Sequence, residues 1–169
     1  MLPETSELLL VIECGYKNAP VSLTAILPLR PSMADESRLP AEIRAKASFR
    51  YRGDEYAWRV DDIPLVIDAA REMRLVNIGG QLQFRGPGFT CECYWVEVDT
   101  YEATPGDLPF DVRVDRTAEA AREGFEELRR KVDFLAEGRT AFAEVLNRYE
   151  NEGGSLTDAM WFVWYVSSE

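Results

Sequence analysis

A chain of 169 residues, 46% hydrophobic and 29% charged, carries enough apolar material for one core and too much to remain disordered. Thirty acidic residues against nineteen basic ones leave a net charge of −11. That argues against nucleic acid as a direct partner, because no basic cluster beyond Arg129-Arg130-Lys131 offsets the repulsion. Histidine is absent, which removes Ser-His-Asp and Cys-His catalysis and histidine-based zinc sites.

The first third reads as strands. Residues 8–13 form an apolar run too short for a signal peptide, and Glu4 and Glu7 precede it where such a leader carries positive charge. No run approaches the ~18 apolar residues of a membrane span, so the chain is expected in the cytoplasm. Lys17-Asn18-Ala19-Pro20 signals a turn, and 21–27 alternates apolar and polar residues as a returning strand. Residues 28–40 hold three prolines and are expected to form an exposed loop. A second hairpin is predicted from 43–52 and 56–60 about Arg52-Gly53-Asp54-Glu55.

A short helix follows over about 63–74. Asp61 or Asp62 caps it, Pro64 lies in its first turn, and Ile63, Val66, Ile67, Ala70 and Met73 or Arg74 keep helical spacing. Asn77-Ile78-Gly79-Gly80 reads as a connector into a third hairpin, with strands 81–85 and 89–98 about Gly86-Pro87-Gly88. Simple alternation along its return strand groups Cys91, Cys93, Trp95 and Glu97 on one face, and Glu92, Tyr94, Val96 and Val98 on the other. Both faces are largely apolar, as in an interior strand. The polar stretch 99–115 separates this region from the last third.

There the spacing predicts a long helix over about 117–151, capped by Thr117. Its apolar seam runs Ala118, Ala121, Phe125, Leu128, Val132, Leu135 and, across Gly138, Phe142, Leu146 and Tyr149. The preserved phase favours one continuous, kinked helix; Gly138 is the alternative place for a break. Residues 160–166 are bulky and unbroken, as in a buried terminal strand. The fold expected is therefore α+β: one domain over 1–169, with a mostly antiparallel sheet of about five to seven strands and both helices packed on it.

Motifs add little chemistry. The odd, sparse cysteines Cys14, Cys91 and Cys93 suit a reducing compartment and core packing better than a disulfide or a metal. Gly79-Gly80-Gln81 resembles the catalytic tripeptide of peptidyl-tRNA release factors over three residues, and a turn before a strand accounts for it. Arg52-Gly53-Asp54 is read as a hairpin turn and Pro28-x-x-Pro31 as a stiff loop. The acids Glu92, Glu97, Asp99, Glu102, Glu123, Glu126 and Glu127 read as a solvated face rather than a catalytic pair.

The function expected is a small acidic binding module of a bacterial cytoplasm, an immunity- or antitoxin-like inhibitor of a basic partner protein. It is expected as monomer or homodimer, with no catalytic residue, cofactor or metal. The candidate binding residues are Arg85, Glu92, Tyr94, Trp95, Glu97 and Asp99. One alternative is a small-ligand protein or carboxylate-based enzyme whose pocket, between sheet and helix, is lined by Arg85, Glu92, Tyr94 and Trp95. Another is an assembly subunit that dimerises through the helix seam.

Overall fold

The structure, a computed structural model, describes residues 10–13, 34–50, 55–104 and 108–169. The turn expected at 17–20, the strand at 21–27, Pro28-x-x-Pro31, Arg52-Gly53-Asp54 and Cys14 lie outside these residues. In chain order the elements are β1 (Leu10–Glu13), α1 (Ala41–Arg44), β2 (Ser48–Arg50), β3 (Glu55–Trp58), α2 (Ile63–Glu72), β4 (Val76–Gly86), β5 (Phe89–Asp99), α3 (Phe110–Lys131), α4 (Phe134–Ala141), α5 (Ala143–Asn151), α6 (Leu156–Ala159) and β6 (Met160–Ser167). Tight 3-10 turns occupy Ala34–Arg38, Val60–Asp62 and Tyr101–Ala103.

The class is α+β, as the pattern implies. The sheet runs in the order β1-β5-β4-β6-β3-β2. Its body is four antiparallel strands, β5-β4-β6-β3, where about five to seven strands were expected. Two short strands extend that body: β1 lies parallel on β5, and β2 lies antiparallel on β3. One face of the sheet is apolar. Trp58, Leu82, Phe84, Cys91, Cys93, Phe162, Trp164 and Val166 are buried there, in one cluster with Ile63, Val66 and Ile67 of α2 and Ala118, Ala121 and Phe125 of α3. Phe125 meets Phe162 edge to face at 5.2 Å between centroids, a geometry that adds about 1 kcal/mol to simple burial. Among the described residues no helix is long and apolar enough to cross a membrane.

Several expectations are corrected by the structure. The long helix begins at Phe110, not Thr117, because Pro109 supplies its start and Val114 extends the buried stripe one turn upstream. It ends at Lys131. Val132 is extended, and the Asp133 carboxylate accepts from the Ala136 N–H at 3.1 Å, opening a new helix. A second break falls at Phe142. Gly138 breaks nothing; it lies inside α4, where its bare Cα admits the Phe84 ring. Ile43 and Arg44, expected to open the second hairpin, instead end α1, and among the described residues that hairpin's first strand is Ser48–Arg50.

The connector expected at 77–80 is part of β4. Gly79, at φ 121°, and Gly80 lie between neighbouring strands so close that a Cβ on either would collide with the Val98 or Val163 carbonyl. Asn77, fully buried, ties this end together. Its side chain accepts from Trp164 Nε1 at 2.9 Å, and its backbone N–H donates to Thr117 Oγ1 at 3.1 Å. The seam of the C-terminal helices is occupied within the chain: Ala118, Ala121, Phe125, Phe142 and Leu146 are all buried against the rest of the core.

Gly138→Ala separates two opposing effects. Helix propensity alone favours alanine by about 1 kcal/mol, whereas a methyl forced against a buried ring costs about 1–3 kcal/mol. The net expectation is a loss of stability in urea unfolding; a gain would mean that Phe84 does not seat on this turn.

Candidate functional site

The opposite face of the sheet is polar and concave. Arg85 Nη1 donates to the Ser48 carbonyl at 2.7 Å, yet Ser48 lies on β2, three strand spacings from β4. A flat sheet would hold those two strands ~14 Å apart. The sheet is therefore rolled, with the Arg85 side inside. Within the roll, Arg85 Nε donates to Gln83 Oε1 at 2.8 Å, and Gln83 Nε2 donates to Glu55 Oε2 and Glu92 Oε1, each at 3.3 Å. The Tyr165 hydroxyl donates to Glu55 Oε1 at 2.6 Å, and the Arg85 guanidinium lies 3.8 Å from Glu55 Oε2. Gln83 is completely buried, and Gln81, Arg85 and Thr90 nearly so. The donors and acceptors of this cluster are turned on one another, so it ties the rolled strands together rather than presenting reactive groups. Gln81 Nε2 and Thr90 Oγ1 are buried with no hydrogen-bond partner among the described residues.

The candidate residues from the sequence do not share one site. Arg85 and Glu92 meet through Gln83 in the concave cluster. Tyr94 is half-buried and sits in an irregularity of β5. There Leu82 pairs with Cys93 and Gln81 with Glu97, so β5 advances four residues while β4 advances one. This bulge reverses the alternation. Val96 and Val98 join Cys91 and Cys93 in the helix-side core, while Glu97 turns outward. Trp95 also leaves the polar cluster. Its Nε1 donates to Glu137 Oε2 at 2.8 Å, and its ring stacks on Phe142 at 6.1 Å. A pocket shared by Arg85, Glu92, Tyr94 and Trp95 between sheet and helix is thus corrected: the first two face away from the helices, and an apolar core fills the interface.

The bulge creates a different grouping on the outside. From Trp95 to Glu102 the chain exposes Trp95 (39%) and Tyr101 (82%), interleaved with exposed Glu97, Asp99 and Glu102. Asp99 Oδ1 accepts from the Tyr101 N–H at 2.8 Å and shapes the turn. Among the described residues none of these three acids has an ion-pair partner. The contrast is the α2–α3 seam. There Asp61, Asp68, Asp111 and Asp115 each pair with an arginine, namely Arg129, Arg122, Arg74 and Arg71. On α3, Glu127 is held below the usual carboxylate range by its hydrogen bond to Lys131. Tyr101 and Glu102 were missing from the sequence-derived set; an aromatic residue isolated among acids in a polar stretch was the available signal.

The chain has no significant match among models of known families, curated proteins or solved structures. Among the described residues no group of three or more cysteines and acids is placed to hold a metal ion.

One carboxyl has a strongly shifted acidity. Glu36, 2% exposed, accepts the Val166 N–H at 3.0 Å where β6 runs beyond β3. Asp35 accepts the Ser168 N–H and hydroxyl at 2.7 and 2.8 Å. Burial pushes the Glu36 pKa from 4.5 up to about 7, with Asp35 and Glu55 adding repulsion and the Val166 N–H opposing the rise. The folded state thus holds this proton more tightly than the unfolded chain. The resulting stability is complete below pH 4.5 and is lost as pH rises through about 7.

Two predictions follow from these groups. Going from about pH 5 to about pH 8 should cost the native chain on the order of 3 kcal/mol through Glu36 alone. Glu36→Gln should flatten that dependence in urea midpoints; an unchanged slope would place the titration elsewhere. Arg85→Ala, which strands buried acceptors, should cost about 3–5 kcal/mol. A change below about 0.5 kcal/mol would mean that the cluster does not hold the roll.

Proposed function

We propose that the chain is a cytoplasmic protein-binding module, of the kind that immunity and antitoxin-like inhibitors represent, and that it engages a basic partner protein through residues 95–102. The observation that carries this reading is the interleaving of two exposed aromatic rings with three acids that no base within the described residues neutralises. Aromatic residues anchor interfaces by displacing water from a large, stiff surface, and an uncompensated acidic rim steers a basic partner and speeds its encounter. The missing histidine and the inward-turned polar cluster support binding rather than catalysis.

Tyr101 is the cleanest probe, since it is 82% exposed and outside the hydrophobic core. In a pull-down from the native lysate, a basic partner should be retained at low salt and weakened at high salt. Tyr101→Ala should weaken that partner by about 2 kcal/mol while leaving stability within about 0.5 kcal/mol. Glu97→Lys combined with Glu102→Lys should slow association and flatten its salt dependence. Recovery of the bait alone, or full affinity in both variants, would overturn the reading.

A further inference from the structure

Residues 166–168, at the end of β6, are gripped on their outer side by two carboxylates. Alternate amides along a strand point the same way. β4 takes one side of this segment, with Asn77 opposite Val166 and Val76 opposite Ser167. On the other side the Val166 N–H donates to Glu36 Oε1 at 3.0 Å, and the Ser168 N–H donates to Asp35 Oδ2 at 2.7 Å. Two consecutive acids of the 3-10 turn Ala34–Arg38 thus reach two successive outward amides. Downstream the turn is anchored. Leu39 is buried in the core, its N–H donates to the Glu36 carbonyl at 3.1 Å, and its own carbonyl accepts from Arg44 Nε at 3.0 Å. The two grips therefore lie on an arm whose fixed end is Leu39.

We infer that this turn is a proton-operated clasp: with Glu36 neutral it holds residues 166–168, and ionisation of Glu36 releases them while Leu39 stays seated. Burial is the main obstacle to ionisation in place. Asp35 of the same turn and Glu55 of β3 add repulsion, and the Val166 N–H and the N–H of Glu36 itself favour the anion. The neighbouring bases are directed elsewhere. Arg38 is exposed, Arg44 holds the Leu39 carbonyl, and Arg85 lies against Glu55, Gln83 and the Ser48 carbonyl. From β6, Tyr165 donates its hydroxyl to Glu55. Once the turn swings into water, Glu36 regains its ordinary acidity. Opening therefore releases one proton between pH 4.5 and about 7. Within that window its equilibrium constant rises about tenfold per pH unit, and above it both forms are ionised and the rise levels off.

The test is native-state amide exchange of the full chain, followed residue by residue from about pH 5 to about pH 8 at several low urea concentrations and corrected for intrinsic rates. Global unfolding frees the same proton, so pH alone does not separate the two openings. Urea does, because a small opening exposes little surface. Val166 and Ser168 should lose protection by roughly seventyfold across this range with almost no response to urea. Gln83 and Phe84 of β4 should respond to urea steeply. Glu36→Gln keeps a carbonyl oxygen for the Val166 N–H and should hold its protection level across the range. If Val166 and Ser168 follow urea as steeply as Phe84, or if their urea-insensitive exchange does not change with pH, the clasp is overturned and Glu36 acts on global stability alone. Persistence of the full pH response in Glu36→Gln would overturn it as well. Should that variant fail to fold, the pH and urea series on the unaltered chain decides by itself.

Discussion

β4 pairs with β5 on one side and β6 on the other over nearly its whole length, and it is buried on both faces. Most of the architecture follows from that double burial. On the helix side Leu82 and Phe84 need apolar neighbours, and α2, α3 and α4 supply them. On the other side Gln81, Gln83 and Arg85 are equally hidden from water, and a buried polar group without a partner costs about 1–3 kcal/mol. For Gln83 and Arg85 the sheet meets that demand by rolling until Glu55, Glu92 and the Ser48 carbonyl come within hydrogen-bonding range. Gly79 and Gly80 belong to the same constraint, since only a bare Cα lets three strands approach so closely.

Charge is distributed by the same geometry. Where helices pack side by side, acids face arginines across the α2–α3 seam. Such exposed pairs contribute little stability each, but they consume positive charge that would otherwise offset the acids elsewhere. The excess is left on outward positions: Glu97, Asp99 and Glu102 at the end of β5, and Glu119, Glu123 and Glu126 on α3. Among the described residues, a chain of net charge −11 thus leaves Glu97, Asp99 and Glu102 without an ion pair at the end of β5, beside the exposed rings of Trp95 and Tyr101. These observations point to one surface because one bulge produces two of them. It turns Glu97 outward and places Trp95 where its ring lies over Phe142.

Much of the local structure was legible in residue patterns. The helix of Ile63–Glu72 announced itself through Pro64 and its apolar spacing, and the terminal strand through seven bulky residues in succession. The hairpin about Gly86-Pro87-Gly88 was equally plain. The misreadings share a cause. Continuous seam spacing through Val132 hid a helix break, because Leu128 and Leu135 pack against the core on either side of the extended Val132 and Asp133. Asp133 signalled the break as a capping residue, and the periodicity outweighed it. Likewise 110–116 carries enough charge to resemble a loop, although Val114 is buried.

By itself, the amino-acid sequence determined the α+β class, the polarity of the 81–85 segment and the absence of imidazole chemistry, since each depends only on composition and short-range periodicity. Whether the polar residues of β4 would meet partners or water was settled by the roll of the sheet, which joins residues about thirty positions or more apart, such as Arg85 with Ser48 and Tyr165 with Glu55. The faces of Trp95, Val96 and Glu97 were settled by a bulge. A bulge is a mismatch between two strands, so neither strand's own sequence can reveal it.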